Sequence, residues 1–194
     1  IDVFCEKNYF TVQDMQRIIE TGMKYNLRAK VHVNQFNSIG GIQKAVEMKA
    51  VSVDHLEVLS QNDINSLKDS STIPTLLPSC SLFINIPYAN GKKLIENDIP
   101  FALASDYNPG STPSGNMNLV VALACINMKI NPEAAINAAT IMGAHAMELE
   151  NITGSISKGK LANIIVTEKI SSYNFIPYSF GENNIDRVMI RGKW

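Results

Sequence analysis

Short apolar runs alternate with amphipathic stretches along most of the chain. "IDVFCE" at residues 1–6 reads as a buried strand. From Thr11 onward Met15, Ile18, Ile19 and Met23 fall on one helical face, and Thr11 and Asp14 have the spacing of a capping pair. A strand is expected at about 29–33, and Gly40-Gly41 lead into a helix to about residue 49. "VSVDHL" is a third strand, Ser60 and Asp63 cap a short helix carrying Ile64 and Leu67, and "STIPTLLP" is a fourth strand. A helix around 88–97, the strand "IPFALASD" and a helix over about 116–128 follow. Asn131-Pro132-Glu133 then supplies a cap and an N1 proline to the Ala-rich helix "EAAINAATIMGAHAMEL". Five strands with crossover helices predict a parallel sheet covered on both faces, either doubly wound or a (β/α) barrel. Glu6, His32, His55 and Asp106 each lie at or just past the C-terminal end of a different strand, which favours the barrel, because barrel sites are built there. From about Asn151 the pattern changes to glycine-punctuated, β-rich segments, "TGSISKGKLANIIVTEK" and "NIDRVMIRGKW". The expected division is therefore residues 1–150 as part of a TIM-type barrel and 151–194 as strands of a small β-subdomain.

Composition narrows the partners. The 194 residues are 45% hydrophobic and 18% charged, with 17 basic and 18 acidic side chains mixed along the chain for a net charge of -1. No basic stripe tracks a phosphate backbone, and no apolar run approaches the ~18 residues of a membrane span. Nucleic acid and membrane are not expected partners, and a cytoplasmic protein is expected. Cys5, Cys80 and Cys125, without CxxC spacing, read as buried thiols rather than a disulfide framework. The chain has no initiating Met and opens directly on a strand, so it is expected to begin inside a longer protein. A partial barrel would leave a parallel edge to associate.

The candidate chemistry is His32, His55 and Asp106 meeting at one rim, since imidazole and carboxylate suit zinc or iron. Spacing alone leaves other readings open: "VDHLE" as a solvent-facing strand end, "SDYNPG" as an Asx turn before Pro-Gly. His145, inside the Ala-rich helix, reads as a surface or packing residue. Glu6 reads as lining the rim, without assigned chemistry.

The stretches "VHVNQFNSIGG", "AVSVDHLE", "LASDYNPGSTPSGN" and "FIPYSFGENNIDRVMIRGK" resemble, in order and from end to end, the C-terminal half of the imidazolonepropionase family, metal-dependent hydrolases of the amidohydrolase superfamily. The resemblance implies hydrolytic opening of 4-imidazolone-5-propanoate to N-formimidoyl-glutamate, a step of histidine degradation. It implies His32 and Asp106 as ligands of one divalent zinc or ferric iron ion, and His55 and Asp106 as the proton-transferring groups. Gln35, Asn108, Gly110 and Ser111 are implied substrate contacts, and a homodimer is the implied assembly. Many members carry glutamate where this chain has Gln35, and an amide is no general base, so the proton work is expected at His55 and Asp106. The superfamily takes two further ligands from an H-x-H pair, which these 194 residues do not contain. The expected picture is a fragment, inactive alone, of an enzyme about twice as long. Another amidohydrolase, a deaminase or cyclic amidase, and a non-catalytic half-barrel interaction module remain as alternatives.

Overall fold

Five parallel strands cross one sheet in chain order: β1 (Asp2–Cys5), β2 (Lys30–Val33), β3 (Ser52–His55), β4 (Ile73–Leu76) and β5 (Ala102–Leu103). The computed structural model describes residues 1–180 and 182–194; Gly181, at the end of the IPYSFG stretch, lies outside them. Between the strands run α1 (Val12–Met23), α2 (Gly41–Glu47), α3 (Gln61–Lys68), α4 (Pro78–Phe83) and α5 (Gly91–Ile95). After β5 come α6 (Met117–Ile126), α7 (Pro132–Ala139) and α8 (Ile141–His145). A doubly wound sheet reverses its strand order at a switch point, whereas this order never reverses, as in a barrel. The sheet stays open, with β1 and β5 at its edges. The chain then adds an antiparallel pair, β6 (Ile164–Thr167) and β7 (Ile185–Met189), with one helical turn, α9 (Phe175–Tyr178), between them.

Alternation sorts the strand side chains into two sets. Val3, Cys5, Val31, Val33, Val53 and Leu76 are buried in the hydrophobic core beneath the helices. The opposite face carries Asp2, Lys30, His32, Ser52, Asp54 and Thr75, brought alongside one another by the register Asp2↔Lys30↔Ser52 and His32↔Asp54↔Thr75. There Lys30 Nζ donates to Ser52 Oγ and, at 3.1 Å, to the Ala146 carbonyl, while Ser52 Oγ donates to Asp54 Oδ1 at 2.7 Å. A polar inner face below a polar rim is where the sheet's chemistry lies.

The helices are close-fitted to the other face. Gly41 opens α2 where a Cβ would come within 2.5 Å of Val33 Cγ2 and 3.1 Å of Cys5 Sγ, so only glycine lets the helix start touch β1 and β2. Both expected capping boxes are present, Thr11 with Asp14 on α1 and Ser60 with Asp63 on α3. Asp63 does more than cap. It is fully buried and accepts from Ser60 N–H, Ser60 Oγ, Gln43 Nε2 and Asn34 Nδ2 at 2.8, 2.6, 2.8 and 3.2 Å, tying α3 to α2 and to the turn after β2. Asp63→Ala strands these donors in the interior and is expected to cost ~3 kcal/mol or more, read as a lower urea midpoint at unchanged m-value.

Several elements differ from the pattern reading. The Ala-rich helix is two helices broken at Thr140 (φ -121°, ψ -89°), whose hydroxyl bonds back to the Ile136 carbonyl instead of leaving that group to the helix ladder. β4 stops at Leu76 rather than running to Pro78, because Pro78 is the first residue of α4, an element the pattern did not announce. β5 keeps two residues of the expected eight: Ile99 N–H is bound to the Leu94 carbonyl at the end of α5, and Pro100 has no N–H to give a ladder. Within the β-rich tail, the turn of helix α9 was likewise not expected.

Candidate metal centre

The loop ends at the C-terminal rim share an uncommon backbone. Asn34 (φ 56°), His55 (φ 91°), Leu56 (φ 65°) and Asp106 (φ 55°) are all left-handed, directly after β2, at the end of β3 and after β5. Asn and Asp tolerate this conformation; His and Leu do so at a cost of roughly 1–3 kcal/mol each. On a regular strand His55 would follow Val53 onto the helix-covered face, since it pairs with Val33. The left-handed turn at its own Cα brings the ring instead to 5.5 Å, centroid to centroid, from that of His32.

Three donors converge here. One ligand atom from each of His32, His55 and Asp106 lies within 4.8 Å of the others, a group able to hold a metal ion. Two metal–ligand bonds of about 2.1 Å put ligand atoms about 4 Å or less apart, so one ion needs only small side-chain adjustments to reach these donors. Each histidine is backed by a carboxylate. His32 Nδ1 lies 2.9 Å from Asp2, and His55 Nδ1 lies 3.4 Å from Glu57 Oε1. Both rings therefore keep Nε2 for the cluster, the arrangement that fixes the tautomer of metal-binding histidines. The hydrogen bond and charge of Asp2, with added charge from Asp54 and Asp106, raise the His32 pKa above its ordinary 6.5 against the opposing effect of burial. For Asp2, burial pulls upward but the His32 hydrogen bond and charge, the Val3 N–H and Lys30 outweigh it and hold the carboxyl low.

Asp106 is steadied by the turn that follows it. Ser111 Oγ donates to Asp106 Oδ2 at 2.9 Å, and Asn108 Nδ2 donates to the Asp106 carbonyl at 2.7 Å and to Ser111 Oγ at 2.8 Å. Asn108 Oδ1 in turn accepts from the Gly110 and Ser111 N–H groups, both at 2.8 Å. The backbone donors of Gly110 and Ser111, two of the implied substrate contacts, are thus held by Asn108. Gln35 is buried, its Nε2 donating to Cys80 Sγ at 3.4 Å. Burial, with the charges of Asp106 and Glu57 adding and a Ser111 hydrogen bond opposing, pushes the Cys80 thiol up to about 11, which keeps it protonated and a poor metal ligand. His32, Asp54, Thr75, Asp106, Met117 and Met147 line a cleft of about 1180 Å³ on this side of the sheet.

Glu6 stands apart from this chemistry. Although buried at the rim, its carboxylate accepts from the N–H groups of Lys7, Phe36 and Asn37 at 2.8, 2.9 and 3.2 Å, anchoring the loop that presents Gln35. His145 lies at the end of α8, exposed, with Glu150 at 3.8 Å. Asp2, Glu57 and Ser81 were not singled out from the sequence, and Cys80 was read there only as a buried thiol. Glu57 reaches His55 only through the left-handed residues 55 and 56, and Asp2 reaches His32 only through strand register, neither of which the sequence gives.

Open parallel winding, a polar inner face and a His–His–Asp group at the C-terminal rim fit the amidohydrolase kind of fold, and the chain belongs to the Amidohydrolase family, whose sequence model matches residues 7–194. Within it, the chain is 58% identical over 193 residues to the imidazolonepropionase of Christiangramia forsetii and 57% identical over 193 residues to that of Flavobacterium johnsoniae, in each case with 100% of this chain matched to 47% of the relative. The chain thus spans about half the length of the curated relatives it matches. Among solved structures, a zinc-bound adenosine deaminase from Xanthomonas campestris superposes with a TM-score of 0.81 over 95% of this chain and 49% of its own, at 16% identity. E. coli guanine deaminase gives 0.77 over 95% and 52%, also at 16% identity. These two establish the fold. No helix among the described residues is long and apolar enough to cross a membrane.

Proposed function

We propose that these residues form the C-terminal half of an imidazolonepropionase, a metal-dependent hydrolase that opens the ring of 4-imidazolone-5-propanoate to N-formimidoyl-glutamate in histidine degradation. The observation that carries the reading is the His32–His55–Asp106 convergence, set in a chain 58% identical to a protein of that name. The donors fit a single ion: the His32 imidazole with Nδ1 engaged by Asp2, and Asp106 with Oδ2 engaged by Ser111, while His55, its Nδ1 beside Glu57, stands next to them. His32 and Asp106 would hold it, and imidazole and carboxylate accept zinc and ferric iron alike. When bound, the ion supplies an acidified water at neutral pH and polarises the ring carbonyl.

The protein's own groups do the rest. His55 Nε2 takes a proton from the attacking water and returns it, with Asp106, to the ring nitrogen as the C–N bond breaks. Gln35, pinned by the loop that Glu6 anchors, offers its amide to the ring. The substrate's propionate takes over the Gly110 and Ser111 N–H groups from Asn108 Oδ1, because a charged acceptor makes stronger bonds than an amide oxygen. Residues 1–150 supply part of the barrel and 151–194 strands of a β-subdomain, in a cytoplasmic homodimer.

The test supplies imidazolone propanoate to the protein carrying its complete N-terminal half and follows loss of the ring's ultraviolet absorption. Loss that depends on metal supports the reading. No loss with metal present overturns it in favour of another amidohydrolase.

A further inference from the structure

Glu57 is a buried carboxylate with an unusual set of neighbours. Its side chain is 2% exposed, and among the described residues no Lys or Arg lies within ion-pairing distance of it. Oε1 accepts from Ser81 Oγ at 3.1 Å and lies 3.4 Å from His55 Nδ1, while Oε2 is buried without a hydrogen-bond partner among the described residues. Burying a carboxylate this poorly satisfied is costly, and a fold keeps such a group where the group is used. The backbone is bent to make the contact. On a regular strand residues 55 and 57 would stand about 6.6 Å apart, pointing outward side by side. Left-handed φ values at His55 (91°) and Leu56 (65°) fold the chain so that the Glu57 carboxylate reaches the ring. Nearby carboxylates are engaged elsewhere: Glu6 by three backbone N–H groups, Asp2 by His32, and Asp106 by Ser111.

We propose that Glu57 is the positioning residue of His55: it accepts the Nδ1–H hydrogen bond, fixes that tautomer, and keeps the Nε2 lone pair turned toward the His32–Asp106 pair. The catalytic part of this rests on the hydrolase reading above. A proton can move from water to His55 only if Nε2 carries the lone pair. Once the ring is protonated, the carboxylate faces the Nδ1–H of an imidazolium, as the aspartate does behind the histidine of a catalytic triad. Ser81, donating to the same oxygen, holds the carboxylate in its rotamer.

The test uses the complete, zinc-loaded protein with ¹⁵N-labelled histidine and compares wild type, Glu57→Gln and Glu57→Asp. Long-range ¹H–¹⁵N spectra are expected to show His55 as Nδ1–H in wild type and Glu57→Asp, and as a mixture or Nε2–H in Glu57→Gln. Glu57→Gln is expected to lower kcat about 10–100-fold with KM within about threefold and bound metal unchanged, and Glu57→Asp to recover part of the loss. Wild-type His55 in the Nε2–H form overturns the assignment with no variant needed. So does Glu57→Gln with a wild-type tautomer, with kcat within about threefold of wild type, or with its metal gone. If the wild type does not open the imidazolone ring, the hydrolase reading falls, and the tautomer still decides the role of Glu57.

Discussion

His32→Ala, in the protein with its complete N-terminal half, is expected to lose bound metal on dialysis and to lower ring opening by about a thousandfold or more. The size follows from position. Outer partners of a metal site typically change affinity or activity by about 10–100-fold, and a residue that touches the ion should exceed them. His32 is placed for direct contact: Asp2 occupies Nδ1 at 2.9 Å, and Nε2 is left for the cluster it forms with His55 and Asp106. Asp2→Asn serves as the internal comparison. It keeps the shape and removes the charge, and its loss is expected to fall in the smaller range. Neither change should lower the melting temperature much, since His32 lies on the open inner face of the sheet and its side chain is 31% exposed. Metal content by elemental analysis, beside activity, is the measurement. Full metal retention in His32→Ala would remove it from the ligand set.

The alternation of Val31 and Val33 around His32, and the apolar-to-polar change at the end of each strand, were enough to read a parallel sheet with its polar residues on one rim. The parallel direction was legible because each strand is followed by a stretch of helical period, which makes parallel crossovers the economical connection, and the polar strand ends favoured a barrel over a doubly wound order. What stayed hidden depended on single bonds or on register. Thr140 leaves the helical region (φ -121°, ψ -89°) within a stretch whose alanines all favour continuation, a break that no periodicity reports. Pro100 shortens β5 by withholding one N–H. The meeting of His32, His55 and Asp106 was readable as a shared address, the strand ends. The carboxylate behind each histidine was not, because Asp2 is brought to His32 by pairing between strands 28 residues apart in sequence, and Glu57 is brought to His55 by two left-handed residues. The Asn108 turn shows the same limit. Its residues could be named from "DYNPGS", but that Asn108 holds the Gly110 and Ser111 N–H groups is visible only in the fold.

His55→Ala is expected to lower turnover far more than Gln35→Ala, by about 10²–10⁴-fold for the histidine, the usual range for removing a positioned acid–base group. Both side chains are buried, so burial does not separate them. Chemistry does. The Gln35 amide has no lone pair basic enough to take a proton from water, and its Nε2 donates to Cys80 Sγ at 3.4 Å, which suits holding a ring in place. Its loss should appear mainly in KM and stay within about tenfold. His55 has the titratable nitrogen, a carboxylate behind it at 3.4 Å, and a strained backbone that aims it at the other two donors. Equal losses in the two variants would mean that the proton leaves the attacking water by a route that does not pass through His55, and Asp106 would then be the group left to accept it.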